Sequence, residues 1–504
     1  MSLGIAENLH VVNQIVERGL CVRCGACEPA CPVDIIRFDD RGFPYITDEE
    51  ECLRGCTRCI KVCPGEEVDY GALDDDMFGQ SPHPSSITGF ARRAVVSHSA
   101  SEETRYAGAS GGFVTQLLAH MLQTGEIDGA LVLGTSSEGR WKQEPFVARS
   151  VEDLERAAKS KYITVPFLRP LEELERVEGQ YAIVALPCYI HAIRKYQQVS
   201  PALRKRIKLV IGLYCNVVFE PHLYEEACAL AGLDPDDVED FRFRHGDWPG
   251  GVTAKLRDGT ERKILKLEEM KDEFNLLKLF YTAPRCTACT DFSGEYSDLS
   301  VGDPWLRGSD GSYLFDDGWT SVLVRTEAGD EAVRRAEADG ALEVTEIPLE
   351  TWMVNFEFSG RYKRDFVPKL NTLRGMAGLP TPRYGREIAR GGPKGWVTTA
   401  LRWLIRSLAR WRWFRVLGIT LAQTRPSLAF LRWNRARKAS KYVERYDRRL
   451  SFVRTLVPLT PRAGANGAGA SNGAGRGSAG GNGAGASQAA SNGGTARGGP
   501  AGSG

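Results

Sequence analysis

Short apolar runs alternate with amphipathic stretches through the middle of the chain, between residues 90 and 385. The runs are four to six residues long and rich in valine, isoleucine and leucine, a composition typical of buried strands. A helix is predicted from residue 113, because Phe113, Leu117 and Met121 recur at the spacing of one helical face. The alternation predicts an α/β fold with a mostly parallel sheet. The strand candidates are Ala130–Leu133, Tyr181–Leu186, Leu209–Tyr214, Leu299–Gly302 and Ser321–Arg325.

The pattern changes near residue 395, where a basic and tryptophan-rich stretch runs to residue 450. Arg402, Arg406 and Arg410 recur every four residues while apolar side chains take other positions, so basic amphipathic helices are predicted. Residues 463–504 contain 16 glycines and no Leu, Ile, Val, Met or aromatic residue, too little apolar surface for a folded core. We therefore expect basic helices over residues 386–458 and a disordered tail over residues 459–504.

The net charge of +1 conceals a contrast between the two ends of the chain. Residues 386–504 hold 21 lysines and arginines against 3 acidic residues, whereas the first 385 residues hold 44 against 61. No uncharged apolar run reaches the roughly 18 residues of a membrane-spanning helix. The first ten residues lack the basic and apolar parts of a secretory signal. These features predict a cytoplasmic protein, and we expect no nucleic-acid partner.

Three interpretations of the basic helices stay open. Basic amphipathic helices that carry tryptophan lie in the interface of anionic membranes, which would place residues 395–450 at the inner face of a membrane. The helices could instead pack on the acidic body of the same chain, or bind a partner subunit.

Eight of the 13 cysteines lie between residues 21 and 63, too densely for scattered core thiols. They form two runs, C-x2-C-x2-C-x3-C-P and C-x3-C-x2-C-x3-C-P. Thiolates at this spacing can bind three irons of one 4Fe–4S cluster, and the fourth cysteine, before proline, binds the other cluster in two-cluster ferredoxins. Residues 1–80 are thus predicted to form a ferredoxin-like domain. The predicted ligand sets are Cys21, Cys24, Cys27 with Cys63, and Cys52, Cys56, Cys59 with Cys31.

Two other metal sites share part of this pattern. Two four-cysteine zinc knots would use the same number of thiolates, but the repeated C-x2-C-x3-C-P ending is not their spacing. The triplet Cys52, Cys56 and Cys59 also matches the C-x3-C-x2-C of radical enzymes that use S-adenosylmethionine. The paired first run and the Cys63-Pro64 ending argue against that enzyme class. The pattern favours two 4Fe–4S clusters.

Four further cysteines stand in the body. Cys188 and Cys215 lie at the ends of strand candidates, where α/β sheets present functional groups, and Cys286 and Cys289 form a C-x2-C pair. Together they could hold a third 4Fe–4S cluster. The alternative is that Cys188 and Cys215 are buried apolar thiols, as free cysteines often are. Cys228, among apolar neighbours, is predicted to belong to the core.

A glycine-rich stretch, Gly108-Ala109-Ser110-Gly111-Gly112, precedes the helix predicted at Phe113. Small residues let backbone amides converge on an anion at a helix N-terminus, as a flavin or nucleotide phosphate requires. Arg105, three residues upstream, would add a charge-assisted contact. Glycines before a helix also form plain turns, and that alternative stays open.

Six motifs follow one another in the body: RYAGASGGFVTQLL from residue 105, KSKY at 159–162, LPC at 186–188, GLYC at 212–215, FRFRHGDWPGG at 241–251 and CTACTDFSGEYSDLSVGDPW at 286–305. In these motifs the chain resembles the beta subunit of coenzyme F420-reducing hydrogenase. That family also includes a formate dehydrogenase subunit, deazaflavin dehydrogenases and chlorophyll-pathway reductases. The resemblance covers about residues 16–350, and it implies a flavin-binding domain over residues 90–385.

The resemblance further implies FAD, or FMN, beside an iron–sulfur cluster, with coenzyme F420 as a possible co-substrate. The flavin takes up a hydride as an electron pair and releases electrons singly to the clusters, or works in reverse. Ser110, Gly111 and Gly112 would hold the flavin phosphates. Lys161 and Tyr162 would lie near the flavin or the deazaflavin, unless they are an exposed lysine and a half-buried tyrosine. Arg242 and Arg244 would meet an acidic cofactor tail, unless they belong to a solvated strand end.

Three functions are compatible with these features. The first is an oxidoreductase that passes electrons between reduced deazaflavin or ferredoxin and an organic substrate. The second is an electron-input subunit that serves a partner catalytic subunit and has no substrate of its own. The third is a redox adaptor that its basic helices recruit to a membrane surface.

Overall fold

The computed structural model describes residues 10–82, 86–136, 142–246, 248–388 and 392–456. Its cysteine-rich segment, residues 10–80, begins with a π-helical turn at Val12–Val16. An antiparallel strand pair and two helices follow: β1 (Ile36–Phe38), β2 (Pro44–Ile46), α1 (Arg58–Lys61) and α2 (Tyr70–Phe78). The tail predicted over residues 459–504 lies outside the described residues.

The strands of the body form one large and one small sheet. In chain order they are β3 (Arg93–Ser99), β4 (Gly129–Thr135), β5 (Gln143–Ala148), β6 (Tyr181–Ala185), β7 (Ile207–Leu213), β8 (Val238–His245), β9 (Gly251–Leu256), β10 (Glu261–Lys263), β11 (Leu299–Gly302), β12 (Thr320–Val324) and β13 (Leu342–Ile347). The large sheet has the order β13-β3-β12-β11-β7-β6-β4-β5, and the small antiparallel sheet has the order β10-β9-β8.

All five predicted strands are present, within two residues of their predicted bounds. The prediction of a mostly parallel sheet is wrong, since only the pairs β11–β7, β7–β6 and β6–β4 are parallel. The antiparallel half depends on β3, β5 and β13, which the apolar pattern did not reveal. Polar side chains interrupt these strands: β13, for example, is an edge strand that buries only Leu342. The fold is a mixed α/β fold.

The helices of the body pack against the two sheets and against one another. They are α3 (Glu102–Ala107), α4 (Phe113–Gln123), α5 (Val151–Arg156), α6 (Leu171–Arg176), α7 (Pro187–Val199), α8 (Pro201–Arg206), α9 (Leu223–Leu230), α10 (Met270–Phe280), α11 (Glu327–Ala338), α12 (Leu349–Arg361) and α13 (Val367–Met376). On one face of the large sheet, α4 and α11 pack through Phe113, Leu117 and Val333. On the other face the core of α6, α7 and α8 also includes Val62 and Tyr70 of the cysteine-rich segment. That segment therefore shares its core with the body.

Three further helices occupy the basic C-terminal stretch: α14 (Trp396–Leu408), α15 (Arg412–Ala422) and α16 (Arg425–Leu456). Arg415 on α15 forms a buried ion pair with Glu226, and Ile419 enters the core beside α9 and α10. On α16, Arg435 Nη2 lies 2.8 Å from the carboxylate of Glu268. The inner faces of these helices thus pack on the acidic body, as one of the three interpretations predicted. No helix among the described residues is long and apolar enough to cross a membrane.

Candidate functional site

One predicted ligand set lines a cavity in the cysteine-rich segment, which we call the outer cavity. Its four cysteines are Cys31, Cys52, Cys56 and Cys59. Most of the remaining lining is apolar, including Ile35, Ile36 and Ile46. Leu53 is 49% exposed between two of the cysteines, so the outer cavity lies next to the protein surface.

The other predicted set, Cys21, Cys24, Cys27 and Cys63, is buried, and we call it the middle set. Burial raises the pKa of the Cys21 thiol to about 12, and the neighbouring Cys63 adds to that rise. Two backbone amides donate to sulfur: Arg23 N lies 3.3 Å from Cys21 Sγ, and Gly65 N lies 3.3 Å from Cys63 Sγ. The structure therefore groups Cys63 with the first run of cysteines, as the crossed ligation pattern predicts.

The four body cysteines line a second cavity, which we call the inner cavity. Three separate segments supply them: Cys188 begins α7, Cys215 follows β7, and Cys286 and Cys289 lie at a 3-10 turn over Pro284–Ala288. Val218 N donates to Cys286 Sγ at 3.5 Å. Burial raises the pKa of the Cys188 thiol well above its usual value, and the other three thiols contribute to that rise.

The middle set lies between the two cavities. Burial raises the pKa of the Cys59 thiol in the outer cavity, and Cys63 of the middle set is one of the neighbouring cysteines that add to that rise. On the side of the body, burial raises the pKa of the Cys188 thiol and Cys24 of the middle set adds to that rise. Cys21 of the middle set lines the inner cavity. The three groups of cysteines thus form a row from the protein surface to the interior.

The donor sets fit 4Fe–4S clusters. The outer and inner sets each offer four thiols around one cavity, the middle set offers four buried thiols, and the middle and inner sets have N–H donors to sulfur. Within the described ranges, no three His, Cys, Asp or Glu side chains converge on a point that a single metal ion could occupy. A cubane differs in having a separate iron for each thiolate. Bound there, such clusters would supply one-electron transfer.

Two buried arginines connect the cysteine-rich segment to the body. Arg23 is paired with Glu220 through two hydrogen bonds of 3.0 and 2.7 Å. Arg285, directly before Cys286, donates to the carbonyl oxygens of Leu20 at 2.9 Å and Gly65 at 2.8 Å. Both line the inner cavity, and both were missed in the sequence, where Arg23 and Glu220 lie 197 residues apart.

A polar network around Asp303 unites four of the family motifs. Its carboxylate accepts hydrogen bonds from Ser110 Oγ at 3.0 Å, from Trp248 Nε1 at 2.9 Å and from two nitrogens of Arg244 at 2.7 Å. Burial alone would lower the pKa of Arg244. The ion pair with Asp303 outweighs that effect and raises the pKa, and Tyr162 adds to the rise. Arg244 is only 3% exposed, so it is not part of a solvated strand end. Asp303 had no role in the sequence-based prediction.

The glycines of the 108–112 loop have a packing role. Gly111 and Gly112 have φ values of +73° and +67° just before α4. A Cβ atom would lie 2.4 Å from Gly318 O at the first position and 2.3 Å from Thr104 O at the second. The close approach of the chain to itself therefore explains both glycines. Their use as a cradle for flavin phosphates stays a prediction.

The other predicted site residues have partners within the chain. Lys161 Nζ caps the end of α5 by donating to the carbonyl oxygens of residues 157, 158 and 159, and burial lowers the pKa of Lys161 to about 8. Arg242 pairs with Asp240 and Glu261. Arg105 donates to Gly318 O and pairs with Asp317. Tyr162 is half-buried against Phe274 and Phe243. No contact of these residues identifies a ligand, so their roles stay predictions.

Two family models match this chain. The model described as coenzyme F420 hydrogenase/dehydrogenase, beta subunit, matches residues 94–172 with its N-terminal part and residues 178–350 with its C-terminal part. A 4Fe-4S dicluster domain matches residues 20–66. A solved F420-reducing NiFe hydrogenase complex from Methanosarcina barkeri aligns with 60% of this chain and 98% of its own at a TM-score of 0.47 and 22% identity.

Several curated relatives are named for coenzyme F420. The coenzyme F420-dependent sulfite reductase of Methanocaldococcus jannaschii is 31% identical to this chain. The alignment covers 67% of this chain but only 49%, about half, of the length of that relative. The beta subunit of coenzyme F420 hydrogenase in Methanothermobacter thermautotrophicus is 31% identical over 59% of this chain and 99% of its own length. The same subunit in Methanococcus voltae is 28% identical over 58% of this chain and 98% of its own length. Together with the matched family models, this coverage shows that the chain belongs to the family of coenzyme F420 hydrogenase/dehydrogenase beta subunits and carries a 4Fe–4S dicluster segment.

Proposed function

We propose that this chain is a flavin-dependent iron–sulfur oxidoreductase that passes electrons between coenzyme F420, or ferredoxin, and an organic substrate. The observation that carries the proposal is the row of three cysteine sites from the surface to the interior. Oxidation of one reduced deazaflavin releases two electrons and two protons, so the two electrons can leave one at a time along such a row. Two relatives, named as a coenzyme F420-dependent sulfite reductase and a coenzyme F420 hydrogenase subunit, support a redox function.

An FAD bound in the body would convert a hydride into single electrons. The residues proposed to hold it are those of the Asp303 network and the loop before α4. The network brings Ser110 and Arg244 together from positions 134 residues apart, and it holds the guanidinium of Arg244 against Ala109 O at 3.0 Å. The network would fix the shape of the loop, and the backbone amides at the N-terminus of α4, which follows the loop, would suit a phosphate group.

A second candidate is an electron-input subunit without a substrate of its own. This chain spans about half of the F420-dependent sulfite reductase, whereas it matches 99% of the length of a protein named as the beta subunit of coenzyme F420 hydrogenase. A partner catalytic subunit would then receive the electrons, and the outer cavity, next to the surface, is where we propose that it or a ferredoxin docks.

Anaerobic mixing of the purified chain with reduced F420, NADPH or reduced ferredoxin tests both candidates. Rapid bleaching of flavin absorbance by reduced F420, followed by a slower change in iron–sulfur absorbance, is the expected result. Continued F420 oxidation with an added organic acceptor supports the oxidoreductase. A single stoichiometric reduction without turnover supports the input subunit, and no reaction with any donor refutes both.

We also propose that the outer faces of α14, α15 and α16 bind an anionic membrane surface. Each helix carries a stripe of apolar side chains that are at least 49% exposed. The stripes follow a spacing of three or four residues, so their members share one face of each helix. We call them the outer stripes: Val397, Leu401 and Leu404 on α14, Trp413, Leu417 and Leu421 on α15, and Phe430 and Trp433 on α16.

Basic side chains accompany the outer stripes. Within the described residues no carboxylate pairs with Arg402, Arg410 or Arg437, whose guanidinium groups instead lie 4.4 to 5.4 Å from aromatic ring centres. Each such cation near an anionic bilayer contributes roughly 1 kcal/mol before screening. Apolar surface beside unneutralised arginine is the composition of an interfacial helix.

Co-sedimentation with vesicles tests the membrane proposal on the full chain. We expect binding to vesicles that contain anionic lipid at low salt, weaker binding at high salt, and little binding to neutral vesicles. The combined change Trp413→Ser, Leu417→Ser and Trp433→Ser should abolish binding without unfolding, because all three side chains are exposed. Met376→Ser, which removes an exposed apolar side chain outside the stripes, is the matched control.

Two outcomes would exclude a membrane. If the wild-type chain stays in the supernatant under every condition, the outer stripes do not bind lipid. If it instead forms dimers that the triple change dissociates, the stripes pair with a second copy of the chain.

A further inference from the structure

Lys363 is a buried cation in the wall of the inner cavity. It lies in a π-helical turn, Tyr362–Phe366, between α12 and α13, and it is 1% exposed. A π-helical turn changes the direction of the side chains that follow, and such turns are frequent at functional sites. Here the turn places Lys363 beside the four cysteines that line the cavity.

Among the residues that the structure describes, Lys363 has neither an ion pair nor a side-chain hydrogen bond, unlike the other two cations of the cavity wall. Arg23 is neutralised by Glu220, and Arg285 is held by two backbone carbonyl groups. Next to Lys363 in the chain, Arg364 pairs with Glu295. Among the described residues, no carboxylate lies within ion-pair distance of Lys363, so its charge is available to the cavity.

The surroundings of Lys363 place its side chain beside sulfur. It is 1% exposed, and the cavity that it lines is bounded by Cys188, Cys215, Cys286 and Cys289. The positive charge therefore faces sulfur atoms and not water.

We propose that Lys363 raises the reduction potential of a 4Fe–4S cluster bound in the inner cavity. The inference rests on the proposed third cluster. A cluster held by four thiolates is negatively charged, and reduction adds one more negative charge. A cation in a low-dielectric wall stabilises the reduced state more than the oxidised state, and net charge is one of the factors that set cluster potentials.

The proposal gives the three cysteine sites an order. No lysine or arginine is among the residues that line the outer cavity, whereas Lys363 lines the inner one. The inner cluster would then be reduced more easily than the outer cluster. Electrons would be held beside the body, where the flavin is proposed to bind.

A redox titration followed by electron paramagnetic resonance tests the inference on the full chain. We expect about twelve irons per chain, four for each cluster, and Lys363→Met should retain them. One of the three signals should shift to lower potential in this variant, while the other two serve as internal controls. Lys363→Arg, which keeps the charge, should keep most of the wild-type potential.

Lys278→Met is the matched control for removal of a nearby lysine. Lys278 is close enough to Cys215 to be affected by it, but it does not line the cavity, so a smaller shift is expected. If Lys363→Met loses the inner cluster, Lys363→Gln provides the neutral polar side chain for the same measurement.

The possible failures are distinguishable. Eight irons in the wild-type chain would refute the third cluster, and this inference with it. Twelve irons and three unshifted signals in Lys363→Met would overturn the role of Lys363 and leave the third cluster standing. A Lys363→Arg potential as low as that of Lys363→Met would also overturn it, because charge would then not be the cause.

Discussion

The outer cavity takes its four cysteines from one continuous stretch, residues 31 to 59, whereas the inner cavity takes them from three segments between residues 188 and 289. The outer cavity lies near exposed Leu53 and has a mostly apolar wall. The inner cavity is lined by the body and by part of the cysteine-rich segment, and its wall holds three cations and one carboxylate, Asp291, which pairs with His191. The outer cavity, built by local spacing, can form near the surface. The inner cavity, assembled from distant segments, depends on the whole fold, and the fold can place charged side chains in its wall.

The largest expected effect separates the two cavities by their iron. Cys286→Ser should reduce the iron content from about twelve to about eight per chain and spare the outer and middle sets. Cys56→Ser should remove the outer cluster and leave the inner one. Cys228→Ser is the control, because Cys228 is a buried cysteine that lines neither cavity. Iron assays and reduced-state spectra decide, and unchanged iron in Cys286→Ser contradicts the inner cluster.

The second prediction concerns the contact that joins the cysteine-rich segment to the body. Arg23→Leu leaves the carboxylate of Glu220 buried without its partner, which costs about 3–5 kcal/mol of unfolding free energy. In a denaturant titration the inner cluster should be lost at a lower concentration than in the wild type. Arg37→Leu breaks an exposed pair with Asp34 and a 4.0 Å contact with Glu28, which keeps its pair with Arg169, so this variant should leave the titration nearly unchanged. Equal behaviour of the two variants would show that the buried pair does not join the segments.

Local spacing predicted which cysteines lie together in the outer cavity and in the middle set, and their role as cluster ligands stays a prediction. The cysteine–proline endings indicate which cysteine crosses to the other set, and the structure groups them in that way. The inner cavity could be anticipated in part, because Cys188 and Cys215 follow β6 and β7, two adjacent parallel strands whose ends meet at one edge.

Contacts between distant residues could not be predicted in the same way. Arg23 and Glu220 carry no pattern that relates them across 197 residues, and Lys363 lies in a helical stretch without a motif. The polar strand β13 was missed because its side chains reflect an exposed edge and not a buried strand. The docking of α14–α16 was one of three interpretations, since amphipathic helices look alike whether they pack on protein or on lipid.

In the 108–112 loop, a contact with a distant residue and not a local pattern requires glycine at position 111. Gly111→Ala should destabilise the protein by about 2–4 kcal/mol, because left-handed backbone strain adds to a clash with Gly318 O. Gly125→Ala has the same strain, with φ of +70°, but no atom lies within 4 Å of the new Cβ, so about 1–2 kcal/mol is expected. Equal losses in thermal or chemical unfolding would refute the packing role of Gly111.

Ser110→Ala has the smallest expected effect and gives the cleanest test of flavin binding at this loop. It removes the hydrogen bonds from Ser110 Oγ to Asp303 and to Trp319 O, at a cost of about 1 kcal/mol. Ser101→Ala removes the N-cap of α3, also at about 1 kcal/mol, without touching the loop. If the loop and the Asp303 network hold the flavin phosphates, Ser110→Ala alone should purify with less flavin and bind it more weakly in a fluorescence titration. Equal flavin content and affinity in both variants would place the flavin phosphates elsewhere, and the serine would then serve only to hold the network together.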